Sequence, residues 1–275
     1  MSVDRLCFGT STFAAGRLCP DKDSRPGIAA LSQALVSGVR LIHSNPNLGT
    51  QWAVRDAIEA AGRPKGIRHV VKVELPLDAG RAVAQPIIER LIATSLEELG
   101  AHRIHAVAIE ADLKRTEDRR LLVDSGAVTD FYERVAELSL DTGVVETTIG
   151  YCHSPAHLTA CLQAAKMTGC AAQCNLVEAW PALYLDQIQA AGRSFLAMAP
   201  LRRGLLLDEL AVTARDRLRA LRWILAHPGI SCTVITISSL SHLSGIFKAM
   251  EMPLPIEDFR RHVEAWQAAG TASTQ

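Results

Sequence analysis

Short runs of β-branched and apolar residues alternate along the chain with longer stretches of helical period. This alternation predicts repeated βα units built on a parallel sheet. Eight strands are expected, at Arg5 to Thr10, Val39 to His43, His69 to Glu74, Ile104 to Glu110, Val144 to Gly150, Cys170 to Cys174, Ser194 to Ala199 and Cys232 to Ile237. Between them, sets such as Ile88, Leu91, Ile92, Ser95, Leu96 and Leu99 fall three and four apart, which gives one apolar helix face to lay against a sheet. Ser154-Pro155 supplies a capping hydroxyl followed by a proline at the first helical position, and Ser24 with Pro26 is a looser version of the same start signal. Pro255 to Ala269 reads as one more amphipathic helix after the eighth unit, and the last residues, 270–275, as a small polar tail.

An open, doubly wound sheet usually carries a Gly-x-Gly-x-x-Gly turn after its first strand. Here only Gly9 and Gly16 are present, so the pattern favours a closed α/β structure, a (β/α)8 barrel of the TIM type, over residues 1–275 as one domain. In such a barrel, chemistry belongs at the carboxyl ends of the strands. Charge narrows the partners: Lys plus Arg and Asp plus Glu both number 29, so no net field gathers nucleic acid or an anionic membrane. A small-molecule substrate is the expected partner, with an oligomer or a protein partner left open. The seven cysteines are scattered, without a Cys-x-x-Cys pair, which points to a reducing, cytoplasmic setting and to no metal. Asp4 and Arg5 interrupt the start, leaving no room for a signal peptide's apolar stretch, and no apolar run reaches the roughly 18 residues of a membrane span, so a soluble protein is expected.

Several segments, in order, resemble one family. Leu6-Cys7-Phe8-Gly9-Thr10 is similar to the opening strand of the aldo-keto reductases, and Gly38-Val39-Arg40-Leu41-Ile42 followed by Gly49 to their second strand and turn. Ser95-Leu96-Glu97-Glu98-Leu99-Gly100, Ile149-Gly150, Gln173, Pro200-Leu201 with Gly204-Leu205-Leu206, and Trp223-Ile224-Leu225-Ala226 continue the match. The resemblance implies a barrel that reduces carbonyls with NADPH through an aspartate, a tyrosine, a lysine and a histidine. Matched position by position, these fall on His43, Leu48, Lys72 and Glu110, so only the lysine survives, with Glu74 close by on the same strand. A leucine offers no proton to a carbonyl oxygen gaining charge. The family's Ser-Asn pair that follows the fifth strand corresponds to Cys152-His153, and its nicotinamide-stacking tyrosine to Met198. Gln173 is retained, Leu201 and Arg202 follow the seventh strand, and Ser238 and Ser239 offer hydroxyls near a helix start after the eighth. NADP(H) and no cofactor at all therefore stand as equal readings.

What occupies the mouth instead follows from alternation. Lys72 and Glu74 share one face of the third strand, Ala106, Ala108 and Glu110 one face of the fourth, and His43 ends the second. Histidine, lysine and carboxylate on adjacent strand ends make an acid-base set, in which a lysine in a partly dry pocket can act as an amine and the others can move protons. The plainer reading is an ion pair whose members balance each other's burial. Asn45, Asn47, Leu48, Tyr151, His153, Asn175 and Trp180 complete the expected substrate pocket, although Trp180 equally suits packing before Pro181. Three functions remain: an enzyme using Lys72, Glu110 and His43 on a small carbonyl or sugar-like metabolite by lyase, dehydratase or isomerase chemistry; an NADP-dependent reductase with a substituted acid, such as a Glu110 kept protonated by burial; and a noncatalytic binding or regulatory subunit.

Overall fold

The computed structural model describes residues 3–116, 124–175, 178–201 and 214–252. Eight parallel strands close into a barrel in chain order: β1 (Leu6–Gly9), β2 (Leu41–Ser44), β3 (Arg68–Leu75), β4 (Ile104–Ala111), β5 (Val145–Tyr151), β6 (Gly169–Gln173), β7 (Ser194–Met198) and β8 (Cys232–Thr236), with β8 pairing back onto β1. The expected strands all form, with ends within two residues of those read from the sequence. The helices are α1 (Arg25–Val36), α2 (Gln51–Ala60), α3 (Arg81–Leu99), α4 (Ser125–Asp141), α5 (Pro155–Gln163), α6 (Leu185–Ala190), α7 (Ala214–Ala226) and α8 (Leu240–Glu251).

Alternation along each strand sorts the core into two layers. Cys7, Leu41, Val70, Ala106, Ala108, Ile149, Tyr151, Ala171, Leu196, Cys232 and Val234 fill the barrel interior. The opposite faces join the helices in a larger cluster that includes Val71, Val73, Val107, Ile109, Cys152, Cys170 and Phe195. Helix α3 buries Ile88, Ile92, Ser95 and Leu99 on the face its spacing predicted, and burying Ile88 or Ile92 contributes roughly 2 to 3 kcal/mol each.

Helix starts follow the sequence in one case and depart from it in another. Ser154 caps α5, its hydroxyl accepting from the His157 amide at 3.3 Å. Ser24 makes no such bond to α1; its hydroxyl instead accepts from the Ala15 amide at 2.8 Å, so it ties down the β1–α1 loop. Arg202 to Leu206, the expected helix at Pro255 to Ala269 and the tail lie outside the described residues. No helix among the described residues is long and apolar enough to cross a membrane.

Candidate active site

At the carboxyl end of the barrel, strands β3, β4 and β5 bring Glu74, Glu110 and Tyr151 into one row, because Glu74 pairs in register with Glu110 and Glu110 with Tyr151. Two carboxylates on adjacent strands repel each other, and the residue that reconciles them sits one inward step below. Lys72, opposite the small Ala108, sends its Nζ upward to Glu110 Oε2 and to within 3.7 Å of Glu74 Oε2. Ala106 and Ala108 leave the interior room for that side chain. The Lys72 Nζ also lies 5.7 Å from the centre of the Tyr151 ring, a cation–π distance.

The other oxygen of Glu110 has its own partner. His153, two residues beyond Tyr151 and therefore of the same parity, donates from Nε2 to Glu110 Oε1 at 3.2 Å and packs its ring 5.0 Å from that of Tyr151. The Tyr132 hydroxyl of α4 donates to the Tyr151 carbonyl at 2.7 Å, which pins the end of β5 from the outside. Burial pushes the Glu110 carboxyl up, but the bond from His153 and the charge of Lys72 outweigh it and hold the group below the usual carboxylate range. This favours the ionised carboxylate at neutral pH over the protonated Glu110 expected of a substituted acid.

His43 completes the cluster from β2, facing inward like Leu41 two residues before it. Its Nε2 is sealed from solvent and has no hydrogen-bond partner among the described residues. Burial holds its pKa down at about 4, with the nearby positive charge of Lys72 adding to the effect and Glu110 opposing it. At neutral pH the ring is uncharged and keeps a ring nitrogen uncommitted.

The remaining expected residues divide. Gln173 and Met198 pair in register on β6 and β7, on the face that Ala171 and Leu196 give to the interior, so both belong to the mouth. Ser238 and Ser239 stand after β8, but Ser239 is spent as the cap of α8, accepting from the His242 amide at 3.2 Å. Asn45 and Asn47 form a local turn, the Asn45 side chain accepting from the Asn47 amide at 2.9 Å, with Leu48 closing the same turn.

Four of the expected residues have partners or packing away from Lys72 and Glu110. Asn175 is buried and structural: its amide nitrogen donates to Glu178 and to the Ala199 carbonyl, and its oxygen accepts from the Glu178 amide. Trp180 and Leu201, both partly buried, pack against the outer, sheet-to-helix core. Cys152 follows β5 with its side chain turned outward into that same layer, because it has the opposite parity to Tyr151 and His153. Of the two positions that correspond to the family's Ser-Asn pair, Cys152 thus lies in the outer layer and His153 contacts Glu110.

No family model matches the chain, nor does any curated protein sequence. Solved structures do match. An aldo-keto reductase from Bacillus halodurans in its holo form superposes with a TM-score of 0.72 at 19% identity, covering 95% of this chain and 91% of that one. The chain has the aldo-keto reductase fold. One from Klebsiella pneumoniae in complex with NADP and acetate gives 0.69 at 17% identity, over 94% and 89% of the two chains. A thermostable aldo-keto reductase bound to the inhibitor epalrestat gives 0.69 at 17%, over 94% and 93%. On this barrel, Lys72, Glu110 and His43 stand together on adjacent strands towards their carboxyl ends, the end at which TIM barrels place their chemistry.

Proposed function

We propose that this barrel is an enzyme that moves protons on a small carbonyl or sugar-like metabolite, in the manner of an isomerase, dehydratase or lyase, rather than a hydride-transfer reductase. The observation that carries the reading is the ionised Glu110 held between Lys72 and His153, beside a neutral His43 whose Nε2 has no partner among the described residues. In the mechanism this supports, the Lys72 ammonium takes the substrate's carbonyl oxygen. The Glu110 carboxylate removes the proton from the adjacent carbon, and the electron pair of the broken C–H bond moves onto the oxygen, where Lys72 balances the new charge. His153 holds Glu110 in place, and His43, uncharged, accepts or returns a proton at a neighbouring hydroxyl. The proton on Glu110 goes back to carbon or leaves with the eliminated group, so no oxidant or reductant is consumed.

A reductase reading has the fold in its favour, because the Klebsiella relative holds NADP. Against it stand the engaged side chains of Cys152 and His153, and no step is assigned to a nicotinamide here. Solvent exchange separates the two. The protein in D2O with glyceraldehyde, dihydroxyacetone and the tetrulose and pentulose sugars is followed by proton NMR for loss of the signal next to the carbonyl. Exchange is expected with at least one of them, slowed by about a hundredfold to ten-thousandfold in Glu110→Gln. NADPH oxidation by these carbonyls, without exchange, would overturn the proposal in favour of the reductase.

A further inference from the structure

The outer side of the same barrel wall holds a second cluster, made of residues that the mouth does not use. Cys152 just beyond β5, Cys161 on α5 and Cys170 on β6 place their three Sγ atoms within 4.8 Å of one another. All three side chains are buried, and the Cys161 and Cys170 sulfurs are 3.6 Å apart. They come from a strand end, a helix and a strand, so only the folded βαβ unit assembles them. Two further observations separate the cluster from ordinary apolar packing of thiols.

The first is steric. A Cβ on Gly150 would stand 2.4 Å from the Cys161 sulfur, so β5 gives up a side chain at the position where that sulfur enters. The second is electrostatic. Arg193 lies close enough for its charge to act on Cys170, and its Nε is buried without a hydrogen-bond partner. The Cys170 thiol donates to the Cys161 sulfur, and Cys161 donates in turn to the Gly169 carbonyl, so the sulfurs are already linked.

We propose that Cys152, Cys161 and Cys170 form a three-sulfur site for a soft monovalent cation, copper(I) being the ion whose chemistry fits. An all-sulfur donor set selects soft ions. Zinc prefers four ligands in a tetrahedron, and among the described residues this cluster offers three. Coordination by two thiolates and one thiol releases the two protons that those two sulfurs carried as thiols. It leaves a single net negative charge, which Arg193 balances. Because α5 covers the sulfurs, the ion enters when that helix opens or as the chain folds, so loading stabilises the folded state.

The test uses the full reduced chain, titrated without oxygen with copper(I) against the coloured copper(I) chelator bathocuproine disulfonate. The chain is expected to withdraw one equivalent from the chelator, to show a thiolate-to-copper absorption band and to melt at a higher temperature. Cys161→Ser and Cys170→Ser should lose all three effects, while Cys174→Ser, a buried cysteine outside the cluster, should keep them. X-ray absorption of the loaded wild-type chain, which depends on no variant folding, should report three sulfur neighbours and no nitrogen. A chelator that keeps all its copper, equal binding by Cys161→Ser, or a coordination shell of another composition would each overturn the proposal.

Discussion

The two arcs of the barrel are built differently. Strands β3, β4 and β5 run to eight, eight and seven residues, whereas β6, β7 and β8 have five each. Pairing follows length: six register pairs join β3 to β4 and six join β4 to β5, against three between β7 and β8. The long arc carries Lys72, Glu74, Glu110 and Tyr151 at its ends, and the short arc carries Gln173, Met198 and Thr236. Fixed charges that must keep their geometry stand on the stretch with the most continuous backbone pairing. Uncharged side chains face them from the stretch with less. The difference suggests a division in which the long arc reacts and the short arc binds.

Three experiments would break or sharpen that division. The largest effect is expected from Lys72→Met, which removes the shared counter-ion of Glu74 and Glu110: turnover should fall by about a hundredfold or more, and stability by roughly 3 kcal/mol, because a largely buried carboxylate loses its partner. Adding Glu110→Gln to that variant should recover stability but not turnover; denaturant titration of the two variants checks this, and equal midpoints would show that the pair is not coupled. Next comes pH. Burial holds His69 on β3 down at about 4, as it does His43, so both are neutral at pH 7. The unfolded chain takes up these protons first. The stability tied to neutral rings is therefore complete above about pH 6.5 and is lost as the pH falls towards 4, up to about 3 kcal/mol for His69. The Glu110 contribution is lost lower still, as the pH falls through its depressed value. Hydrogen exchange at pH 4.5 should release β2 to β4 amides before those of β6 to β8, and uniform release would erase the contrast. The smallest effect belongs to the short arc: Met198→Ala should raise KM by about tenfold or less and leave kcat within about twofold, as expected of a group that binds ground and transition states alike. A collapse of kcat instead would move chemistry onto β7.

The barrel was legible because local periodicity and chain order were enough to specify it. Strand alternation also predicted that Lys72, Glu74 and Glu110 share the interior, since parity is a local property of each strand. What failed was parity carried past a strand end. Cys152 and His153 were grouped as neighbours in sequence, yet a single residue step sends one sulfur to the outer layer and the other ring to Glu110. Counting on from Tyr151 would have separated them. The long-range partner of Asn175 was not legible, because nothing local reveals that its side chain reaches the Ala199 carbonyl, 24 residues away. The cysteine cluster escaped for the same reason, as its members stand nine residues apart and meet only when strand, helix and strand fold back on each other.

The register that sets Glu74 beside Glu110 has a consequence for descent. Any sequence that keeps both acids needs a cation beneath them, so selection for a stable barrel would preserve Lys72 even in a lineage whose catalysis had lapsed. Retention of this lysine among homologues would thus record charge balance rather than activity. His43 has no such structural debt, with a buried nitrogen that finds no partner among the described residues, and its persistence together with Glu110 is the ancestral signature that would track the chemistry.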